Sequence, residues 1–179
     1  MNQFELPVLY WIRENVTCPF LDGVMPVLSS MARHGEIWIL LAVILLCVPK
    51  TRRVGLTVGL ALAMGYLVGN IALKNLVARV RPYDVAGVEI LVKRLSDFSF
   101  PSGHTLCSFE AAVAVWLYHR KWGIVALAFA FVMAFSRLYL FVHYPTDVLA
   151  GAVLGVGMAL LAYWLVGKLY DRKKPSPLA

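Results

Sequence analysis

From Leu21 to Leu169 the chain is dominated by five apolar runs, roughly Leu21 to Val48, Val54 to Val80, Gly103 to Tyr118, Trp122 to Phe141 and Pro145 to Leu169. A helix that crosses a bilayer takes about 20 mostly apolar residues, because its backbone groups must find partners within the segment once water is gone. Runs of this length and number argue against an ordinary soluble domain, and a chain that is 60% hydrophobic and only 15% charged has little polar surface to make one. The expected fold is all-α: a polytopic transmembrane helical bundle of about five spans, forming one domain over residues 1–179. The first run is the weakest, since Ser29, Ser30, Arg33 and His34 interrupt it and Gly35 to Val48 alone is too short to cross. Its helix is expected to begin near Leu21 and to carry Arg33 and His34 toward the outer surface. The third run is also short, and is expected to begin inside protein rather than lipid.

Residues 1–20 lack the basic start of a cleavable signal peptide and mix Glu5, Arg13 and Glu14 with apolar residues. They read as an interfacial amphipathic helix. Cys18, Cys47 and Cys107 are odd in number and widely spaced, which indicates neither a disulfide framework nor a metal site. Orientation follows from the connecting segments, because lysine and arginine concentrate on the cytoplasmic side. Lys50, Arg52, Arg53, Arg120, Lys121, Lys168, Arg172, Lys173 and Lys174 lie on one side against a single acid, Asp171, so the net +7 divides into +8 there and −1 opposite. The N-terminus is then outside and the basic tail, residues 170–179, cytoplasmic. Lys173 and Lys174 are expected to anchor the last helix against anionic headgroups, not to bind nucleic acid. Trp116, Tyr118, Trp122, Tyr163, Trp164 and Tyr170 fall near the proposed inner ends, where an aromatic belt belongs.

On this topology three polar stretches, up to 73 residues apart, meet on the outer face: Lys74 with Arg81-Pro82, Pro101-Ser102-Gly103-His104, and Ser136-Arg137 with His143 and Asp147. Three cations, two histidines and an aspartate are costly beside lipid and need a reason to be there. Lys74 and Arg81, seven residues apart, are expected on one face of span two, with Pro82 helping to end the helix. Taken singly, each cation is as readily a snorkelling side chain; their convergence favours a site. Ser102 is expected to cap the helix that starts at Gly103, where backbone N–H groups and the positive dipole end suit a phosphate. Asp147 lies four residues beyond His143, close enough to accept the Nδ1 proton and leave Nε2 free.

Lys74, six residues, Arg81-Pro82; Pro101-Ser102-Gly103-His104; and Ser136-Arg137, five residues, His143, three residues, Asp147 resemble the tripartite signature of the type 2 phosphatidic acid phosphatase superfamily at every position and in order. That superfamily is similar in its core to vanadium haloperoxidases and bacterial acid phosphatases. The resemblance implies metal-independent hydrolysis of phosphate esters or anhydrides with no cofactor. It also implies the roles: His143, oriented by Asp147, attacks phosphorus to form a phosphohistidine; His104 protonates the departing oxygen and later activates water. Lys74, Arg81, Ser102, Gly103 and Arg137 would hold the phosphate oxygens. The cations would do the electrostatic work that magnesium does in many phosphoryl-transfer enzymes.

A site at the outer membrane boundary admits a headgroup while the tails stay in the bilayer, so a lipid phosphate is the expected substrate and the bacterial cell membrane, multi-pass with an extracytoplasmic site, the expected location. In length and span count the chain resembles small bacterial undecaprenyl pyrophosphate phosphatases of the superfamily. Phosphatidylglycerophosphate, phosphatidic acid and lipid A phosphatases remain alternatives. So do a vanadate-dependent oxidase and a non-catalytic anionic-lipid binding or transport protein. Outside the signature, Gly55/Gly59, Gly65/Gly69 and Gly151/Gly155 read as small-residue pairs for close helix packing. Glu110 is expected to face the bundle and pair with a cation or hydroxyl. Lys93 and Arg94 lie in the Tyr83 to Phe100 loop, more a solvated segment than a steering patch.

Overall fold

The computed structural model describes residues 4–32 and 35–171. The expected positions of Arg33 and His34, and the tail beyond Asp171, lie outside the described residues. In chain order the elements are α1 (Leu6–Asn15), α2 (Pro19–Met31), α3 (Glu36–Cys47), α4 (Arg52–Gly65), a π-helical segment (Tyr66–Leu73), α5 (Lys74–Val77), α6 (Pro82–Ala86), α7 (Gly103–Tyr118), α8 (Arg120–Tyr139) and α9 (Pro145–Asp171). All of the regular structure among the described residues is helical, as the apolar runs imply.

Among the described residues, three helical stretches are long and apolar enough to cross a membrane: Arg52–Ala86, Arg120–Tyr139 and Pro145–Tyr170. The pair α2 and α3, bent by 50°, makes a fourth if the two count as one span. This corrects one expectation. The first run is not one continuous helix from Leu21, because Pro19–Met31 and Glu36–Cys47 are separate elements and Gly35, at φ 77, starts α3 in a left-handed conformation that glycine adopts without strain. The third run is the 16-residue α7, short as expected and largely enclosed by protein. It is the centre of the bundle, with Ala111, Ala112 and Ala114 fully buried between α4, α8 and α9.

Small residues let the neighbours approach α7. A Cβ at Gly151 would stand 2.7 Å from the Ser102 carbonyl oxygen, and one at Gly155 2.7 Å from the Leu106 carbonyl oxygen and 2.9 Å from the Phe109 Cβ. Across the other face, a Cβ at Gly65 would fall on the Glu110 carboxylate and one at Gly69 on the Leu106 side chain. Gly55 plays the same part against α3, whose Leu46 nitrogen it would meet at 2.6 Å. Gly59 does not: nothing lies within 4 Å of its would-be Cβ, so the expected Gly55/Gly59 pair is a single close approach. In a bilayer, where apolar attraction between helices is weak, this backbone proximity supplies the packing.

α1 lays Leu9 and Ile12 against Tyr139, Leu140, Phe141 and Val142 while Trp11 faces outward, the amphipathic division expected of the first 20 residues. It thereby covers the turn between α8 and α9. At the opposite end, Arg53 lies over the Tyr118 and Tyr170 rings, Arg120 over Trp116 and Lys168 over Trp164. Basic and aromatic residues thus gather where the inner boundary was expected. Glu110 faces the bundle and is 1% exposed, but its Oε1 has no hydrogen-bond partner, against the pairing expected of it. Gly65 on α4 is what it meets.

Candidate active site

Span two does not carry Lys74 and Arg81 on one helical face. Its last turns are π-helical over Tyr66–Leu73, α5 ends at Val77, and Ala78 turns the chain through a left-handed conformation at φ 46. Arg81 then occupies the N-cap position of α6, with Pro82 opening that helix rather than closing the previous one. The two cations still converge, through the turn instead of along a face. Both bind Asp97 in the following loop: Lys74 Nζ pairs with Oδ2, and Arg81 Nη2 with Oδ1 at 2.6 Å. Burial works against ionisation of Asp97, but the Lys74 hydrogen bond and the Arg81 charge overcome it and hold its carboxyl at about 2.

Ser102 stands at the N-cap position of α7, but its hydroxyl does not cap. It hydrogen-bonds to the Thr105 hydroxyl at 2.9 Å, while its backbone N–H donates to the Asp147 carbonyl at 3.0 Å. That backbone bond fastens the start of α7 to the start of α9 and carries Gly103 and His104 to His143. His104 Nε2 donates to the Ser29 carbonyl of α2 at 3.1 Å, and Arg137 Nη1 donates to the Ser29 hydroxyl. Arg137 is 1% exposed and its Nε is a buried donor with no hydrogen-bond partner.

His143 lies in the turn between α8 and α9, 1% exposed. Arg81 Nη1 approaches its Nε2 at 3.4 Å, while Nδ1 faces the Ser99 hydroxyl at 3.5 Å and Asp147 Oδ2 at 3.6 Å. A donor on one side and acceptors on the other select the tautomer with the proton on Nδ1 and a free lone pair on Nε2. At 3.6 Å the contact with Asp147 is an ion-pair distance, too long for the direct hydrogen bond expected. Ser99 fills that role in part, since its hydroxyl donates to Asp147 Oδ2 at 2.5 Å and presents its oxygen to His143. Burial first, then the charges of Arg81 and Arg137, push the His143 imidazole down to about 3 against the opposite pull of Asp147. The ring is therefore neutral, with an available lone pair.

Five further residues belong to this constellation that the sequence reading did not place in it: Ser29, Arg79, Asp97, Ser99 and Glu5. Arg79 donates to Asp147 Oδ1 at 2.5 Å and pairs with Glu5. Asp97 and Ser99 carried one usable signal, as polar residues within the four positions before Pro101. Lys93 is exposed, and Arg94 is paired with Asp84 at 2.9 Å. Among the described residues no group of three His, Cys, Asp or Glu converges, and Asp97 and Asp147 are both committed to cations.

Arg81 and Arg137 thus flank the His143 imidazole at one end of the helical bundle, and Lys74 joins Arg81 through Asp97. A family model described as the PAP2 superfamily matches residues 54–171, and the chain belongs to that superfamily. It is 33% identical over 144 residues to a Sulfolobus acidocaldarius protein named undecaprenyl-diphosphatase, an alignment covering 79% of this chain and 69% of the relative. With the Bacillus subtilis undecaprenyl-diphosphatase BcrC it shares 30% identity over 143 residues, 80% of this chain and 74% of that one. The crystal structure of Aquifex aeolicus LpxE superposes with a TM-score of 0.77 at 25% identity, covering 89% of this chain and 94% of the other. The protein is accordingly a multi-pass membrane lipid phosphatase.

Proposed function

We propose that the protein converts undecaprenyl pyrophosphate to undecaprenyl phosphate on the extracytoplasmic face of a bacterial cell membrane, through a phosphohistidine on His143. The observation that carries the mechanism is the free Nε2 of a buried neutral imidazole with Arg81 3.4 Å away. A phosphate held by Arg81, Lys74 and Arg137 presents its phosphorus to that lone pair, displacing the Asp97 carboxylate that otherwise bridges Lys74 and Arg81. As negative charge builds on the phosphoryl oxygens, the three cations and the Gly103 N–H at the start of α7 stabilise it. The bond from phosphorus to the leaving oxygen breaks as the bond to Nε2 forms, and His104, protonated on both ring nitrogens once the anionic substrate is bound, gives its Nε2 proton to that oxygen in place of Ser29 O. His104, now a neutral ring, takes a proton from water, whose oxygen attacks the phosphohistidine and frees His143. Asp147 and Ser99 hold the ring while it is positively charged.

The undecaprenyl headgroup is supported by relatives bearing that activity in their names, and the outward site by the basic and aromatic residues at the opposite end of the bundle. The test is phosphate release by purified protein in EDTA from undecaprenyl pyrophosphate, phosphatidylglycerophosphate, phosphatidic acid and lipid A. The prenyl pyrophosphate is expected to give the highest kcat/KM; a higher value for any of the other three overturns the substrate assignment.

A further inference from the structure

Asp147 is fully buried and its two oxygens have different partners. Oδ2 faces His143, held by the Ser99 hydroxyl at 2.5 Å and the Tyr144 N–H at 2.9 Å. Oδ1 faces away and receives Arg79 Nη1 at 2.5 Å. Arg79 is fixed in turn: its guanidinium lies 3.9 Å from the centroid of the Tyr144 ring, Nη1 also donates to the Thr146 hydroxyl at 2.7 Å, and Nη2 pairs with Glu5. Glu5 closes the circuit by accepting the Thr146 N–H at 2.9 Å, at the first turn of α9. A continuous chain of charge therefore runs from Glu5 at the start of α1, through Arg79 and Asp147, to His143.

We propose that Arg79 is a positioning residue that turns the Asp147 carboxylate toward His143 and sets how much of its negative charge the imidazole feels, with Glu5 setting how much of the Arg79 charge is available for that purpose. The proposal rests on His143 as nucleophile. A carboxylate beside the ring has two opposed effects: it stabilises the imidazolium that forms on phosphorylation, and it favours protonation of the free ring, which cannot attack. Arg79 on the far oxygen tempers the second effect while fixing the geometry that the first requires. The other charged groups around His143 are Arg81 at α6, Arg137 on α8, His104 on α7 and Lys74 on α5, with Asp97 beyond Arg81. A bound phosphate offsets the cations among them, which brings the ring's protonation in the complex back into a range that kcat can report.

Loss of each partner then moves the acidic limb of the kcat–pH profile in a different direction. Arg79→Gln leaves Asp147 uncompensated, so the imidazole protonates more readily and the limb moves to higher pH by about one unit, a roughly tenfold loss at a fixed pH on the limb. Glu5→Gln strengthens the hold of Arg79 on Asp147 and moves the limb to lower pH. Arg79→Lys keeps the charge and returns the limb toward its original position, with kcat reduced because a point charge holds one oxygen without the fork of a guanidinium. The experiment is the kcat–pH profile of the purified full chain and the three variants on one lipid phosphate, with His143→Ala alongside. A uniform fall of kcat at every pH in Arg79→Gln, or limbs moving the same way in Arg79→Gln and Glu5→Gln, overturns the proposal; Glu5→Gln supplies that comparison even if Arg79→Gln does not fold. Substantial turnover by His143→Ala instead overturns the nucleophile reading on which it stands.

Discussion

A carboxylate already occupies the two cations that we propose bind the substrate phosphate. Asp97 bridges Lys74 and Arg81, and its low pKa means that it is ionised throughout the working range. On that proposal the substrate competes with an internal anion. Asp97→Asn removes the charge while keeping the shape, and inorganic phosphate is expected to inhibit that variant about tenfold more strongly, the worth of roughly one charge-assisted contact. An unchanged or weaker inhibition constant would show that Asp97 supports the cradle instead of occupying it. His143 makes a prediction about stability. The unfolded chain takes up a proton on this histidine near its ordinary 6.5, the folded chain only at about 3, so between these values the unfolded state binds more protons and stability falls as pH is lowered. Thermal unfolding in detergent at pH 7 and pH 5 is expected to show this loss, and His143→Ala to lessen it. Lys74, Arg81, His104, Arg137, His143 and Asp147 were legible as a group because charge beside apolar runs is conspicuous. Ser29 and Glu5 were not, since their importance comes from hydrogen bonds spanning 75 and 141 residues of sequence that no local pattern marks.

At the scale of elements, the apolar runs located the long helices, and length alone misjudged two of them. The first run was read as one helix although Gly35 permits a break that composition does not reveal. The Lys74 to Arg81 spacing was read as two helical turns, and the left-handed turn at Ala78 made it a corner. α7 illustrates the opposite case: too short to span by itself, it is held by backbone contacts with α9 through Gly151 and Gly155. Gly155→Ala is expected to cost about 1–3 kcal/mol, because the new Cβ meets backbone at 2.7 Å and the helices must separate. Gly59→Ala, with open space around it, is expected to stay within about 0.5 kcal/mol of the parent or to stabilise slightly. Comparable losses at both positions, measured by unfolding in detergent, would refute the packing argument.

For the whole molecule, two ends of different chemistry face opposite sides of the bundle. One gathers Arg53, Arg120 and Lys168 on aromatic rings; the other gathers the phosphate residues under α1 and α2. The proposal that the site faces outward rests on that division. A cysteine at Lys93, exposed in the loop beside the site, is expected to react with an impermeant thiol reagent in intact cells; labelling only after lysis would invert the orientation. The central claim is covalent: phosphate passes through Nε2 of His143. Rapid acid-free quenching of the enzyme during turnover of a lipid phosphate, followed by peptide mass spectrometry, tests it directly. The account predicts a phosphoryl group on His143, absent from His143→Ala, which should also release almost no phosphate; a phosphoryl group on another residue, or sustained turnover by His143→Ala, would contradict it.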